Sequence, residues 1–223
     1  MQSFATTAPI AAVVTVPAGH LRFIAADRAD ATVEVRPANP SKGRDVKAAE
    51  EIAVSFADGV LRITAPEAKN QLFGPAGAVE VTVQLPAGSA VEAKAAAADL
   101  RGVGRLGDVT CEAAQGPVKL DEAARVRLSL QDGDITIGRL NGSAELTTAR
   151  GDLRIAEATT GTVVLATQSG SITVGAARGT AATLDAGTSY GRISNTLQNA
   201  KGAGADLTIR ATTSYGDITA HAN

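Results

Sequence analysis

Apolar and polar residues alternate with a period of two over six stretches of the chain before Ala98: Ile10 to Val16, Leu21 to Ala25, Thr32 to Arg36, Ile52 to Ala57, Leu61 to Ala65 and Val79 to Leu85. A period of two places successive side chains on opposite faces of a strand, so each stretch is predicted as β. Between two of them, Asp58-Gly59 predicts a two-residue hairpin, because both central positions of a type I′ turn need positive φ. Val14-Thr15-Val16-Pro17-Ala18-Gly19 returns as Val83-Gln84-Leu85-Pro86-Ala87-Gly88, which predicts one strand-exit turn used twice. A short helix is predicted for Val46-Lys47-Ala48-Ala49-Glu50-Glu51, with Asp45 as its cap, and Lys69 to Gly77 reads as an exposed loop.

From Gly104 onward the pattern becomes a repeat of the form Gly-x-apolar-x-apolar, as in Gly133-Asp134-Ile135-Thr136-Ile137, Gly151-Asp152-Leu153-Arg154-Ile155 and Gly170-Ser171-Ile172-Thr173-Val174. The repeats separate into two interleaved series. One runs through Val109, Val126, Ala144, Val163, Ala182 and Leu207, in steps of 17, 18, 19, 19 and 25 residues. The other runs through Val118, Ile135, Leu153, Ile172, Ile193 and Ile218, in steps of 17, 18, 19, 21 and 25. Two series that lengthen together are expected when each coil gives one strand to each of two sheets. The fold class is therefore predicted to be all-β: a parallel β-solenoid with two strands per coil in the C-terminal half, continuous with an N-terminal β-rich cap region. Residues 1–98 form the cap region and 99–223 the solenoid, with 195–205 as an insertion loop before the final coil. Coils stack through parallel ladders at about 4.8 Å. Ile135, Ile137, Leu153, Ile155, Ile172 and Val174 then face inward, while Thr136, Arg154 and Thr173 face solvent. An antiparallel meander would use the same glycines, but it has no reason to repeat alternate strands.

Composition narrows the core and the partners. Of 223 residues 44% are hydrophobic, yet there are only two Tyr, four Phe and no Trp, so the core is built from Ala, Val, Ile and Leu. Twenty-one basic against 23 acidic side chains leave a charge of −2, without the cation excess that displaces counterions from nucleic acid. A single cysteine excludes an internal disulfide, and two distant histidines leave little for zinc, so neither metal nor cofactor is expected. Ala8 to Val16 is apolar, but no basic residue precedes it, and the pattern runs on through Pro17-Ala18-Gly19 as strand, turn and strand rather than as a cleavage site. No apolar run is long enough to span a bilayer as a helix. A cytoplasmic location is the expectation, unless the chain reaches a surface through a partner.

Candidate chemistry is sparse. Gly102-Val103-Gly104-Arg105-Leu106-Gly107 spells a dinucleotide fingerprint, but a strand follows it where the fingerprint needs a helix, so a flexible junction between the halves is expected there. On one sheet, the residues after the corner glycines form the column Asp134, Asp152, Ser171, Arg192, Asp217. Asp134 and Asp152 would then stand about one coil apart, near the carboxylate separation of retaining glycosidases, although corner aspartates usually bond backbone and short turns cannot wall a cleft. The calcium order of repeat-bound sites is missing. Tyr190 and Tyr215 hold matching places in two coils. They would either form an exposed stacking pair for a glycan or partner, or cover apolar corner surface. His20 and His221 are expected to be solvated, and Cys111 to be a buried, inert thiol at an inward position.

The Gly-Asp-Ile and Gly-Asp-Leu strands, Thr188-Ser189-Tyr190-Gly191-Arg192-Ile193 with its echo ending at Ile218, and the opening Phe4, Pro9, Arg28 and Val33-Glu34-Val35-Arg36-Pro37 together resemble the bacterial "putative adhesin" family of β-strand-repeat domains of unknown function. The resemblance spans nearly the whole chain and implies a right-handed parallel β-helix-like fold with no catalytic residue to carry over. The expected function is a non-enzymatic scaffold or adhesin-like binding module, whose partner is an unidentified protein or glycan and whose open last coil could support end-to-end homo-association. The alternatives are a carbohydrate-active β-helix enzyme using Asp134 and Asp152, and a regulatory module acting with an envelope-stress partner.

Overall fold

The structure is a computed structural model that describes residues 1–66, 77–197 and 206–223. Contacts divide the chain into two compact units, Met1–Gly116 and Pro117–Asn223. Strand Ala90–Gln115 runs through the expected boundary at 98/99, and the division falls at 116/117.

The first unit holds β1 (Gln2–Ala5), β2 (Ala11–Ala26), β3 (Asp30–Pro37), α1 (Gly43–Glu50), β4 (Ala53–Ala57), β5 (Val60–Thr64), β6 (Val79–Pro86) and β7 (Ala90–Gln115). All six sequence-derived strands are present, but two of them, together with Pro17-Ala18-Gly19, form the single strand β2. The apolar stretch near the N-terminus runs into this strand, with Ile10 buried just before it and Ala12, Val14 and Val16 buried within it. Val14 to Gly19 is therefore a corner inside a strand, whereas Val83 to Gly88 ends β6 in a turn closed by Ser89 N–H on the Pro86 carbonyl. Asp58 and Gly59 both have positive φ, 51° and 74°, and β4 pairs antiparallel with β5 around them.

Parallel coil stacking begins earlier than the repeat suggests. The first part of β2 lies parallel between β5 and β7, and its second part lies parallel between β6 and β7. The outer coil, made of β5 and β6, is flanked by antiparallel strands: β4 on β5, then β3 on β6 and β1 on β3. The glycine-rich segment 102–107 is not a flexible junction. It is a corner within β7 at which Gly88 donates to the Arg105 carbonyl and Gly107 to the Ser89 carbonyl, each at 2.8 Å. A side chain on Gly104 would meet the Ala25 carbonyl oxygen at 2.1 Å, so close backbone approach explains that glycine without a nucleotide. The helix also differs from expectation: Lys42 is its N-cap, without a side-chain bond, and Asp45 lies inside the first turn. Asp45 is buried because its carboxylate accepts the Ala78 N–H at 3.1 Å. Of the expected loop 69–77, all but Gly77 lies outside the described residues.

The second unit contains β8 (Val118–Asp132), β9 (Ile135–Leu140), β10 (Ala144–Arg150), β11 (Leu153–Ala158), β12 (Gly161–Ser169), β13 (Ile172–Ala176), β14 (Ala182–Tyr190), β15 (Ile193–Thr196), β16 (Leu207–Tyr215) and β17 (Ile218–Ala222). Every strand pairing within it is parallel among the described residues, and Leu153 stands beside Ile135, as a two-strand coil requires. One row reads β8, β10, β12, β16, β14; the other reads β8, β9, β11, β13, β17, β15. The last two coils are thus exchanged relative to chain order. The coil of β16 and β17 sits between its two predecessors, so the expected column order becomes Asp134, Asp152, Ser171, Asp217, Arg192. Leu184 and Ile209, rather than Ala182 and Leu207, align with Val163. The expected loop at 195–205 begins later, since Asn195 and Thr196 belong to β15, and 198–205 lies outside the described residues.

Ile135, Ile137, Leu153, Ile155, Ile172 and Val174 are all buried, while charged side chains on the outer faces pair between coils. Arg127 meets Glu145 at 3.1 Å and Arg139 meets Glu157 at 3.6 Å. Such exposed pairs contribute little stability but avoid like charges in neighbouring coils. Cys111 is buried, and burial pushes its thiol up to about 11, with a smaller contribution from Glu112.

Two outcomes follow for stability and reactivity. Gly151 has φ 139°, and a Cβ there would lie 2.2 Å from the Gly133 carbonyl oxygen, whereas Gly187 has open space around it. Gly151→Ala is expected to cost more than about 1 kcal/mol in denaturant unfolding while Gly187→Ala leaves the midpoint nearly unchanged; equal midpoints would contradict the corner geometry. Cys111 is expected to resist a disulfide-exchange reagent at neutral pH and to react at once in denaturant, and prompt native-state labelling would show that the thiol is not buried.

Candidate functional site

The corner between the two rows of the second unit is built from one recurring arrangement. A threonine three residues before the glycine turns its hydroxyl onto the glycine carbonyl of the neighbouring coil: Thr167 on Gly151 at 3.2 Å, Thr213 on Gly170 at 3.0 Å and Thr188 on Gly216 at 3.1 Å, while Thr148 lies 3.4 Å from the Gly133 carbonyl and closer, at 3.0 Å, to the Arg150 carbonyl of its own coil. The glycine N–H donates in the opposite direction, as from Gly133 to the Arg150 carbonyl at 2.8 Å. Both polar groups of the corner are thereby satisfied by the adjacent coil, which burial demands. These threonines were not singled out from the sequence. Their signal is the spacing Thr-x-x-Gly, which occurs at Thr148, Thr167, Thr188 and Thr213.

The aspartates after the glycine perform a related task. Asp134 accepts the Asp152 N–H at 2.8 Å, Asp152 accepts the Ser171 N–H at 2.7 Å, and Asp217 accepts the Arg192 N–H at 2.8 Å. Asp134 and Asp152 do occupy adjacent coils, as the register requires. Each carboxylate, however, directs an oxygen at backbone of the next coil, an arrangement that fixes stacking rather than confronting a substrate. Charge-assisted bonds of this kind are among the stronger ones on a surface.

Tyr215 and Tyr190 follow Asp132, Arg150 and Ser169 in the column on the other side of the glycine. The two rings stack with centroids 5.0 Å apart and planes 3° from parallel, which is nearly the coil spacing. Neither ring is buried: Tyr190 is 66% and Tyr215 59% exposed. Arg192 stands beside them with its side chain 90% exposed, its guanidinium 3.4 Å from the Asp217 carboxylate. The Arg192 N–H holds the Asp217 carboxyl below its ordinary range; partial desolvation opposes the shift, and the Arg192 guanidinium reinforces it. Away from this corner, His20 is half in solvent but lies 3.1 Å from Asp99, its register partner on β7. Arg28 grips Asp30 with two bonds, at 2.8 and 2.9 Å, and also donates to Gln84. Among the described residues no group of three or more His, Cys, Asp or Glu side chains is placed to hold a metal ion, and no helix is long and apolar enough to cross a membrane.

A carboxyl whose folded pKa lies below its unfolded value stabilises the fold fully above the ordinary Asp range, near about 4, and loses that contribution as the pH falls through the folded value. Asp217→Asn removes the charge at every pH. The variant is therefore expected to be less stable than the parent at neutral pH, with the gap closing as the solution is acidified through the lowered pKa. Thermal melts across pH measure this, and a gap that stays constant would show that ionisation of Asp217 does not contribute.

No curated protein matches the chain. Among solved structures, the chain is similar to a "putative adhesin" from Bacteroides fragilis, at 14% identity over 98% of this chain and 95% of that one with a TM-score of 0.49. It is also similar to a "putative lipid binding protein" from Parabacteroides distasonis, at 11% identity over 98% and 95% with a TM-score of 0.48. A third is a "putative cell adhesion protein" from Clostridium sporogenes, at 12% identity over 96% and 93% with a TM-score of 0.42. The profile of the Toastrack DUF4097 family matches residues 13–223, and with the stacked parallel coils and glycine corners already described, the chain belongs to that family.

Proposed function

We propose that the chain is a non-enzymatic scaffold that presents an adhesin-like binding surface, with Tyr190 and Tyr215 as its partner-binding residues. The observation that carries this reading is the contrast within one corner. The carboxylates best placed for chemistry, Asp134 and Asp152, are held by backbone N–H groups of the next coil, while the only two tyrosines of the chain are stacked on each other and left in solvent. Aromatic rings exposed at a rigid corner offer contact area with little conformational entropy to lose on binding. A solenoid wall supplies the rigidity, because each coil is fixed by ladders on both rows.

The test is a binding panel of neutral and acidic glycans together with extracellular matrix proteins, probed with the parent and with the double variant Tyr190→Ala/Tyr215→Ala. The parent is expected to bind at least one class without altering it, and the double variant to lose about tenfold or more in affinity, as loss of a central aromatic contact predicts. No binding anywhere on the panel, or equal binding by the double variant, would overturn the reading. So would cleavage of a glycan by the parent that Asp134→Asn/Asp152→Asn abolishes.

A further inference from the structure

The column order places Arg192, not an aspartate, at the end of the stack, and the backbone beside it is left with outward donors. In every inner coil the glycine N–H passes to the next coil: Gly133 to Arg150, Gly151 to Ser169, Gly170 to Tyr215 and Gly216 to Tyr190. The first strand residue does the same: Ile135 to Asp152, Leu153 to Ser171, Ile172 to Asp217 and Ile218 to Arg192. Gly191 and Ile193 are the last members of these two series. Among the described residues β14 pairs only with β16 and β15 only with β17, and no acceptor receives either N–H. Both donors point along the column, away from the stack. Ile193, whose counterparts in the column are buried, is 46% exposed.

Three features of the end coil therefore face the same direction. Two backbone N–H groups flank Arg192, and the guanidinium, engaged by Asp217 through one nitrogen, keeps further donors for a ligand. The Tyr190 ring lies parallel to the Tyr215 ring, so its second face is turned outward along the column. We propose that this end corner binds an acidic saccharide: a pyranose whose carboxylate accepts from the Ile193 N–H and from Arg192, and one of whose hydroxyl oxygens accepts from the Gly191 N–H, while its C–H face lies on Tyr190. An unshared backbone N–H beside a guanidinium suits a carboxylate, and the other N–H, whose counterparts in the inner coils each meet a separate carbonyl, suits a hydroxyl oxygen of the same sugar.

Two other occupants fit the coil less well. A second copy stacked as a further coil would meet Arg192, which lacks the carboxylate by which Asp134, Asp152 and Asp217 accept the next coil's N–H; among the described inner coils of the column, that of Ser171 alone stacks without such a contact. An acidic peptide added along β14 would run past exposed Asp185, and like charges placed opposite in a sheet destabilise it.

This inference rests on the binding-module reading and names its ligand class, and its experiment separates the two. Amide NMR of the full chain is titrated with trigalacturonate, with neutral cellotriose and with tetraglutamate. Trigalacturonate is expected to shift the Gly191 and Ile193 amides, to bind less tightly as salt is raised, and to lose about tenfold in affinity in Arg192→Gln, the effect of removing a charge-assisted bond. Tyr190→Ala is expected to weaken it while leaving the Arg192 contribution in place. The proposal is overturned if those amides do not move, if cellotriose or tetraglutamate binds equally well, or if Arg192→Gln binds as the parent does. It is also overturned if the same amides respond to protein concentration alone as the mass doubles, which would make a second copy the occupant. A panel ligand bound through the tyrosines but indifferent to Arg192→Gln would sink this inference and leave the broader reading standing, whereas an empty panel would remove both.

Discussion

A parallel coil cannot satisfy its own backbone. Its N–H and C=O groups point to the coils above and below, and at the corner between the rows they must do so where the chain changes direction. The second unit meets this requirement with a recurring set: a threonine hydroxyl onto a glycine carbonyl, a glycine N–H onto the next coil's carbonyl and, where Asp follows the glycine, a carboxylate onto the next coil's N–H. Each group has its partner in another coil, so register at the corner is fixed jointly with register in the ladder. The inward columns of Ile, Leu and Val then fall into line without large aromatic side chains, which is how a chain so poor in Phe, Tyr and Trp sustains a core.

The same requirement bears on which strands lie at an edge. The coil of β16 and β17 has neighbours on both sides, and so does β2, whereas β1 has a ladder with β3 alone among the described residues. A strand at an edge has a ladder on one side only and opens more readily. Inserted one coil inward, β16 and β17 are held by two ladders, and β14 and β15 form the edge instead. In the first unit the outer coil is flanked by the antiparallel strands β3 and β4. In the second unit the outer coil is β14 and β15, joined to the rest through covalent connections at each side.

Much of this was legible in the residues. The alternation at Ile135, Ile137, Leu153 and Ile155 indicated inward faces, and the interleaved spacings indicated that strands two apart pair, because both signals come from local periodicity. The exchange of the last two coils was not legible. Ile193 and Ile218 are equivalent by pattern, and nothing local distinguishes a coil that is last in sequence from one that is last in space. Asp45 illustrates a second kind of limit: an acid at the start of a helix reads as a cap, yet the chain just before β6 brings the Ala78 N–H to it, and that tertiary contact decides its role. Of the candidate site, the positions of Tyr190 and Tyr215 could be paired by repeat arithmetic, but their exposure depends on which coil is outermost. The buried threonines were written in the sequence as Thr-x-x-Gly and were hidden by the abundance of threonine.

Once the spatial order is known, the departures from the repeat acquire a common cause. The inner coils can carry Asp after the glycine because a neighbour's N–H lies ready to receive it, and the last coil has no such neighbour among the described residues. An aspartate there would set an unshared negative charge beside Asp217. Arg192 replaces it with the opposite charge and pairs with Asp217 at 3.4 Å beside the outward N–H groups. The residue before the glycine changes in the same place, from Asp132, Arg150 and Ser169 to Tyr215 and Tyr190, so that polar and charged corners give way to stacked rings on the two outermost coils. Both substitutions fall where the periodic interactions run out, which is where a repeat fold has surface free to be shaped for something other than its own stacking.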